Sequence, residues 1–301
     1  MNQIKLFIEL TRIKRPIGFM LLFWPCLWGL TLAYDFNLGV FTYFFYSTLF
    51  LSGSILMRSA GCIVNDIADK NFDRKVERTK NRPIASGKVS VKLASVYALF
   101  LCGVAFLVLI NFNYFTILMA LISMPLAFTY PLMKRITYWP QLFLGITFNY
   151  GLLLGWTSIN ESLSMLPILF YIGAIFWTLG YDTIYAHQDK EDDLRIGVKS
   201  TARLFQSNTK KWLWFFLIIS IVFMTLAFTT ALKSENNIFC FIIGITGILA
   251  FGIHLIWQLI NLDINNADNC LMIFRSNRNA GLLPVLGFTC AIILQSIILT
   301  S

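Results

Sequence analysis

Charge is what this sequence has least of. Only 13% of its 301 residues are Asp, Glu, Lys or Arg, against roughly 25% in a soluble domain. Hydrophobic residues make up 57%. This shortage excludes a water-soluble globule with a charged surface. Histidine is scarce as well: His187 and His254 are the only two, and their spacing makes no metal pair. The six cysteines, Cys26, Cys62, Cys102, Cys240, Cys270 and Cys290, include no CxxC pair. Most lie in apolar stretches, so they read as packing residues rather than a zinc site or a disulfide framework. Heptads, low-complexity tracts and Gly/Ser linkers are absent, and nothing reads as a separate soluble unit. The expectation is one transmembrane domain over residues 1–301. A signal peptide would need a short apolar core and a small-residue cleavage site. The first apolar stretch instead runs on through Trp24, Trp28 and Tyr34, and reads as a retained span.

What is present is a series of apolar stretches, each of bilayer length. Nine spans are expected: Ile17–Tyr34, Val40–Val64, Val91–Ile110, Tyr114–Met133, Pro140–Ser158, Leu166–His187, Trp212–Leu232, Ile238–Ile260 and Ala280–Leu299. Backbone polar groups in lipid need internal partners, so these are helices. With the N-terminus in the cytoplasm, the cytoplasmic segments are Met1–Pro16, Asn65–Ser90, Lys134–Trp139, Gln188–Lys211 and Asn261–Asn279. Of the 24 Lys and Arg residues, only Arg58 and Lys233 lie outside these segments and their flanks. That bias sets the topology. It also explains the net charge of +9 as membrane orientation, and no nucleic-acid partner is expected.

The acids do not follow this logic. They gather on the same side as the bases, in 65-NDIADKNFD-73 and 182-DTIYAHQDKEDD-193. Asn65, Asp69 and Asp73 are spaced by four, which stacks them along one helix face with a drift of about 40° per step, over about 12 Å. That is the reach of a diphosphate with its metal ions. Asp182, Tyr185, Asp189 and either Asp192 or Asp193 share a second face. Carboxylates this close repel one another, and Asp182, at lipid depth, needs a polar cavity. A divalent cation resolves both problems, and hard oxygen ligands favour Mg²⁺ shared with substrate phosphates. Glu77, Glu191 and one of Asp192 and Asp193 read as ordinary loop charges.

Cations flank these acids. Arg78, Lys80 and Arg82 follow the first cluster, Lys134 and Arg135 follow the fourth span, and Arg195 and Lys199 follow the second cluster. Cations beside metal-bound phosphates stabilise the charge that builds on a leaving diphosphate. Lys80, Lys88 and Lys92 fit the simpler role of positive-inside charge. Arg58 stands apart, seven residues before Asn65 inside an apolar span. An intramembrane arginine marks a functional site, here a pocket for an anionic aromatic acceptor. The plainer reading is a structural pair with Asp182 or another acid. The 28 Phe, 8 Trp and 11 Tyr read chiefly as lipid contact. A minority would shield a carbocation or line a prenyl tunnel.

At this point the residues resemble a known family. NDIADKNFD is similar to the NDxxDxxxD motif of the UbiA superfamily of intramembrane prenyltransferases, and YDTIYAHQDKEDD followed by GVKSTA resembles its second motif. The likeness extends to 12-RIKRPIGFMLLFWPCLWGL-30, 130-YPLMKRITYWPQLFLGITFNYG-151 and 274-FRSNRNAG-281. The pattern is most like the branch that prenylates 4-hydroxybenzoate for ubiquinone biosynthesis. The resemblance implies an all-α bundle of nine transmembrane helices, with a central cavity capped by cytoplasmic loops and opening sideways to lipid. It implies that Asn65, Asp69 and Asp73 bind Mg²⁺–diphosphate from one side, and Asp189 and Asp193 from the other. Arg78, Arg82, Tyr130 and Lys134 would hold diphosphate oxygens, with Asp182 and Tyr185 also facing substrate and Arg58 near the acceptor. Arg15 matches a basic position of the first helix. The expected substrates are a polyprenyl diphosphate and 4-hydroxybenzoate, with no obligate protein partner. The expected place is the inner membrane of a bacterial cell, with the N-terminus and the acidic loops cytoplasmic.

The expected chemistry is electrophilic aromatic prenylation, which needs no covalent nucleophile. Rival readings are the same chemistry on a homogentisate, a naphthoate or a haem, or a cation-coupled transporter. A transporter would place its acids near the midplane of repeated, broken-helix halves. Here most acids lie at one surface and no repeat is visible.

Overall fold

The computed structural model describes residues 3–232 and 238–300. Lys233, the one external lysine of the charge argument, lies outside them. Every regular element among the described residues is helical. In chain order these are α1 (Gln3–Thr11), α2 (Pro16–Ala33), α3 (Val40–Ala68), α4 (Lys70–Asp73), α5 (Val91–Leu109), α6 (Tyr114–Thr129), α7 (Met133–Ile136) and α8 (Pro140–Asn160). They continue with α9 (Met165–Ala186), α10 (Lys190–Ile196), α11 (Thr201–Phe205), α12 (Thr209–Leu232), α13 (Ile238–Asn261), α14 (Ala267–Ala280) and α15 (Leu282–Thr300). Among the described residues, nine helical stretches are long and apolar enough to cross a bilayer. The chain is a polytopic membrane protein.

Helix starts follow local chemistry. Pro16 and Pro140 sit in the first turns of α2 and α8, where a missing N–H costs no hydrogen bond. Ser90 and Asn113 cap α5 and α6 by accepting from Leu93 N and Thr116 N. The tightest contact is between α2 and α8, and it rests on 151-GLLLG-155. A Cβ on Gly155 would stand 2.1 Å from the Cys26 carbonyl oxygen. The two backbones touch there because no side chain intervenes, which is how small residues join helices in lipid.

The neighbours run in a circuit: α2 packs on α8, α8 on α9, α9 on α12, α12 on α13, α13 on α15, and α15 back on α2. Helix α3 packs on α2, with α5 against it, and α6 packs on α8. Aromatic rings fill part of the middle: Trp28 lies 5.5 Å from Phe170 and 5.1 Å from Trp177. The outside is apolar too. Phe41, Leu99 and Phe100 are exposed, as a lipid-facing surface requires.

Besides the short helices α4, α7, α10 and α11, two longer ones fall in the segments expected to connect spans. Helix α1 lies within Met1–Pro16 and buries Leu6 and Leu10. Helix α14 lies within Asn261–Asn279, so the last apolar helix starts at Leu282 rather than Ala280. Both are amphipathic and polar on one face, so a search for apolar stretches passes over them. Three indoles anchor the end of α14. Trp24 Nε1 donates to the Arg278 carbonyl (2.8 Å), Trp28 Nε1 to the Gly281 carbonyl (2.8 Å) and Trp177 Nε1 to Asn277 Oδ1 (2.7 Å).

Candidate active site

The first acidic segment begins in α3 and does not stay on one unbroken helix. Helix α3 ends at Ala68, Asp69 takes a capping geometry (φ −94°, ψ 3°), and α4 carries Asp73. The four-residue stacking survives, because Asp69 N bonds Asn65 O and Asp73 N bonds Asp69 O, both at 2.8 Å. Asp69 and Asp73 are buried, at 1% and 7% exposure. Each has a cation. Lys134 Nζ donates to Asp69 Oδ2, and Arg82 donates to Asp73 Oδ2 at 2.9 Å. Asn65 is half-buried and faces the same cavity.

Two residues without an assigned role belong to this network. Asp66 is 2% exposed and accepts from Arg12 and, at 3.2 Å, from Arg82. Asp66 sits one residue off the 65/69/73 face, so helical periodicity directs attention away from it. Arg12 lines the cavity together with Arg15, the basic residue the resemblance suggested, and Arg15 is exposed there. Arg12 adopts the left-handed backbone region (φ 52°), uncommon for a side-chain-bearing residue and found where surroundings hold it. Desolvation works against its charge, but the neighbouring Cys62 and Asp66 outweigh it and raise its pKa. Several bases precede the first span, and only the fold tells which one turns inward.

The second segment runs from α9 through a short 3-10 turn into α10. It places Asp182, Tyr185, Asp189 and Asp193 on the cavity wall. Arg78 reaches across to grip Asp189 with two nitrogens, Nε at 2.7 Å, and its Nη1 lies 3.5 Å from the Tyr185 hydroxyl. No ion pair or side-chain hydrogen bond holds the carboxyls of Asp182 and Asp193 among the described residues. Asp192 turns away toward Arg195 at 3.7 Å, and Glu77 pairs with Lys80 at the surface. The segment after α10 is tied to the neighbouring loop: Lys199 N donates to Lys134 O (2.9 Å) and Thr201 N to Gln141 Oε1 (3.1 Å).

These groups surround one cavity of about 610 Å³. Cations outnumber acids along its wall, and α14 adds Arg275 and Arg278, which bond no acid among the described residues. A second cavity of about 370 Å³ is lined almost entirely by apolar residues of α2, α3, α5, α6 and α8. Arg58, Tyr130 and Phe148 line both cavities, which adjoin at this neck. Arg58 makes no ion pair among the described residues, so the structural pair with Asp182 does not form. Its guanidinium instead lies over the Phe148 ring, 5.5 Å from the centroid.

The donor set suits a metal that arrives with its substrate. Among the described residues, no three of His, Cys, Asp and Glu form a ready cage. Among the described residues, Asp69 Oδ1 is buried with no hydrogen-bond partner and lies 3.5 Å from Arg135 Nη2. Asn65, Asp182 and Asp193 also keep oxygen atoms unengaged. Mg²⁺ bound through one or two carboxylates plus substrate phosphates needs this arrangement rather than an all-protein cage.

Comparison with known proteins gives the class first. Residues 22–278 match the model of the UbiA prenyltransferase family, and the chain belongs to that family. The fold agrees: a UbiA homolog from Archaeoglobus fulgidus bound to GPP and Mg²⁺ superposes with a TM-score of 0.73 at 17% identity, over 96% of this chain and 99% of that one. The apo UbiA homolog of Aeropyrum pernix K1 gives 0.68 at 21% identity, over 94% and 98%. Among curated relatives, the mitochondrial 4-hydroxybenzoate polyprenyltransferase of Rattus norvegicus is 44% identical over 284 residues, spanning 93% of this chain and 73% of the relative. The human protein of that name is 43% identical over 284 residues, spanning 93% and 74%.

Proposed function

We propose that this chain transfers a polyprenyl group from polyprenyl diphosphate to the ring carbon ortho to the hydroxyl of 4-hydroxybenzoate, releasing diphosphate, in ubiquinone biosynthesis. The observation that carries this reading is the neck: a cation-rich cavity with two rows of acids adjoins an apolar cavity at three shared residues. A substrate with a diphosphate head and a hydrocarbon tail is divided the same way. The relatives support 4-hydroxybenzoate over homogentisate, naphthoate or haem as acceptor. Apart from Asp182, the acids of the cavity lie past the ends of α3 and α9, which disfavours a transporter.

In this reading the head group lies between the two acidic segments. Asn65, Asp69 and Asp73 hold Mg²⁺ from one side, and Asp189 and Asp193 from the other. When bound, Mg²⁺ neutralises charge on the leaving diphosphate as a Lewis acid. Arg78, Arg82, Lys134 and Tyr130 bind its oxygens as the allylic C–O bond lengthens. The prenyl chain enters the apolar cavity, whose wall keeps water from the allylic carbon. Arg58 receives the acceptor carboxylate at the neck, which sets the ring beside that carbon. The ring carbon attacks, the C–O electron pair leaves with diphosphate, and the ring proton is lost. Asp182 and Tyr185 line the path between head group and neck.

The whole chain serves as one domain, and the placement we propose is a bacterial inner membrane with the acidic loops cytoplasmic. The relatives named above are mitochondrial, so fractionation of the source cells tests that placement. The activity is tested with purified membranes, 4-hydroxybenzoate, a series of prenyl diphosphates, and Mg²⁺ present or chelated. Transfer should require both substrates and the metal. Near-normal turnover in Asp69→Ala or Asp189→Ala would sink the assignment of the metal-binding residues.

A further inference from the structure

Arg58 is held by two residues to which neither the spacing of the acids nor the resemblance assigns a role. On one side is Gly18, in the first turn of α2. A Cβ built there would stand 2.6 Å from Arg58 Nε and 3.3 Å from Nη2. On the other is Phe148 of α8, whose ring lies under the guanidinium and meets the Tyr130 ring edge-on at 6.3 Å between centroids. Without an acid to fix it, an arginine side chain has several rotatable bonds and many positions. Here the missing side chain at Gly18 supplies the space and the aromatic face supplies the attraction.

We propose that Gly18 and Phe148 are positioning residues for acceptor selection. Together they fix the Arg58 guanidinium at the neck, so that an aromatic acid is presented to the allylic carbon while the diphosphate site is left untouched. This rests on the role assigned to Arg58 above. The atom a new Cβ would meet belongs to a flexible side chain, not to backbone, so Gly18→Ala moves Arg58 without breaking the α2 contact. Phe148→Leu keeps an apolar side chain and removes the ring face, and Phe148→Tyr keeps that face.

The test is steady-state kinetics in purified membranes with 4-hydroxybenzoate and geranyl diphosphate varied separately. Gly18→Ala and Phe148→Leu should each raise KM for 4-hydroxybenzoate about tenfold, as loss of one desolvated cation–π contact or its alignment predicts. KM for the diphosphate should stay within about twofold, and Phe148→Tyr should retain acceptor binding. In the Arg58→Lys background, Gly18→Ala should add little, because coupled residues are non-additive. The inference is overturned if both KM values rise together, if only kcat falls, or if the Gly18 and Arg58 effects simply add. A wild-type protein that does not prenylate 4-hydroxybenzoate overturns the parent reading instead. An active wild type with unaltered variants overturns this inference alone.

Discussion

The two acidic segments look alike in sequence and differ in the fold. In the first, Asp66, Asp69 and Asp73 are all buried, and each is bonded to a cation brought from elsewhere in the chain: Arg12, Lys134 or Arg82. In the second, Asp182, Asp189 and Asp193 are only half-buried, and Asp189 alone is gripped, by Arg78. The first segment is part of the scaffold as well as the site. The second is a wall with its oxygens held ready. Losing a partner of a buried ion pair leaves an uncompensated charge, whereas an exposed pair contributes little to stability. The same carboxylate-to-amide change should therefore act differently in the two places.

The sharpest test of that contrast is the pair Asp69→Asn and Asp189→Asn. Each should cut prenyl transfer by about a hundredfold or more. Only Asp69→Asn should also destabilise the fold, by about 3 kcal/mol, read as a lower thermal midpoint in detergent. Equal midpoints would erase the distinction. Next in size is Arg82→Gln, which leaves Asp66 and Asp73 short of a cation. It should lower the midpoint by a comparable amount, whereas Arg78→Gln should cost less than about 1 kcal/mol. Asp193→Asn should weaken transfer at limiting Mg²⁺ by about tenfold, with Asp192→Asn close to wild type; a reversal would put the wrong carboxylate on the wall. Smallest is Glu77→Gln, at a surface pair, which should move stability by no more than about 0.5 kcal/mol and activity not measurably.

The segments also show how far sequence carries. Hydropathy suffices for nine spans, because a bilayer imposes their length directly. Four-residue spacing finds Asn65, Asp69 and Asp73 because the hydrogen-bond register continues through the break at Asp69. Spacing cannot choose between Asp192 and Asp193; the turn from α9 into α10 does that, and Asp193 faces the cavity. Arg12 depends on a left-handed backbone turn, Asp66 on a long-range pair, and α14 on an amphipathic pattern in an otherwise polar stretch. Phe148 and Gly18 acquire meaning only when α2, α3 and α8 meet. None of these is a local property.

The cation pairs of the first segment have a consequence for the end of the catalytic cycle. Lys134 bonds Asp69 and Arg82 bonds Asp73, so in the proposed reaction these carboxylates compete for the cations assigned to diphosphate. As the product anion loosens, these carboxylates are already within reach to take its place. The displacing group is tethered, and its local concentration does not depend on what the surrounding solution contains. A site that must grip a highly charged leaving group tightly in the transition state thereby carries its own eluent.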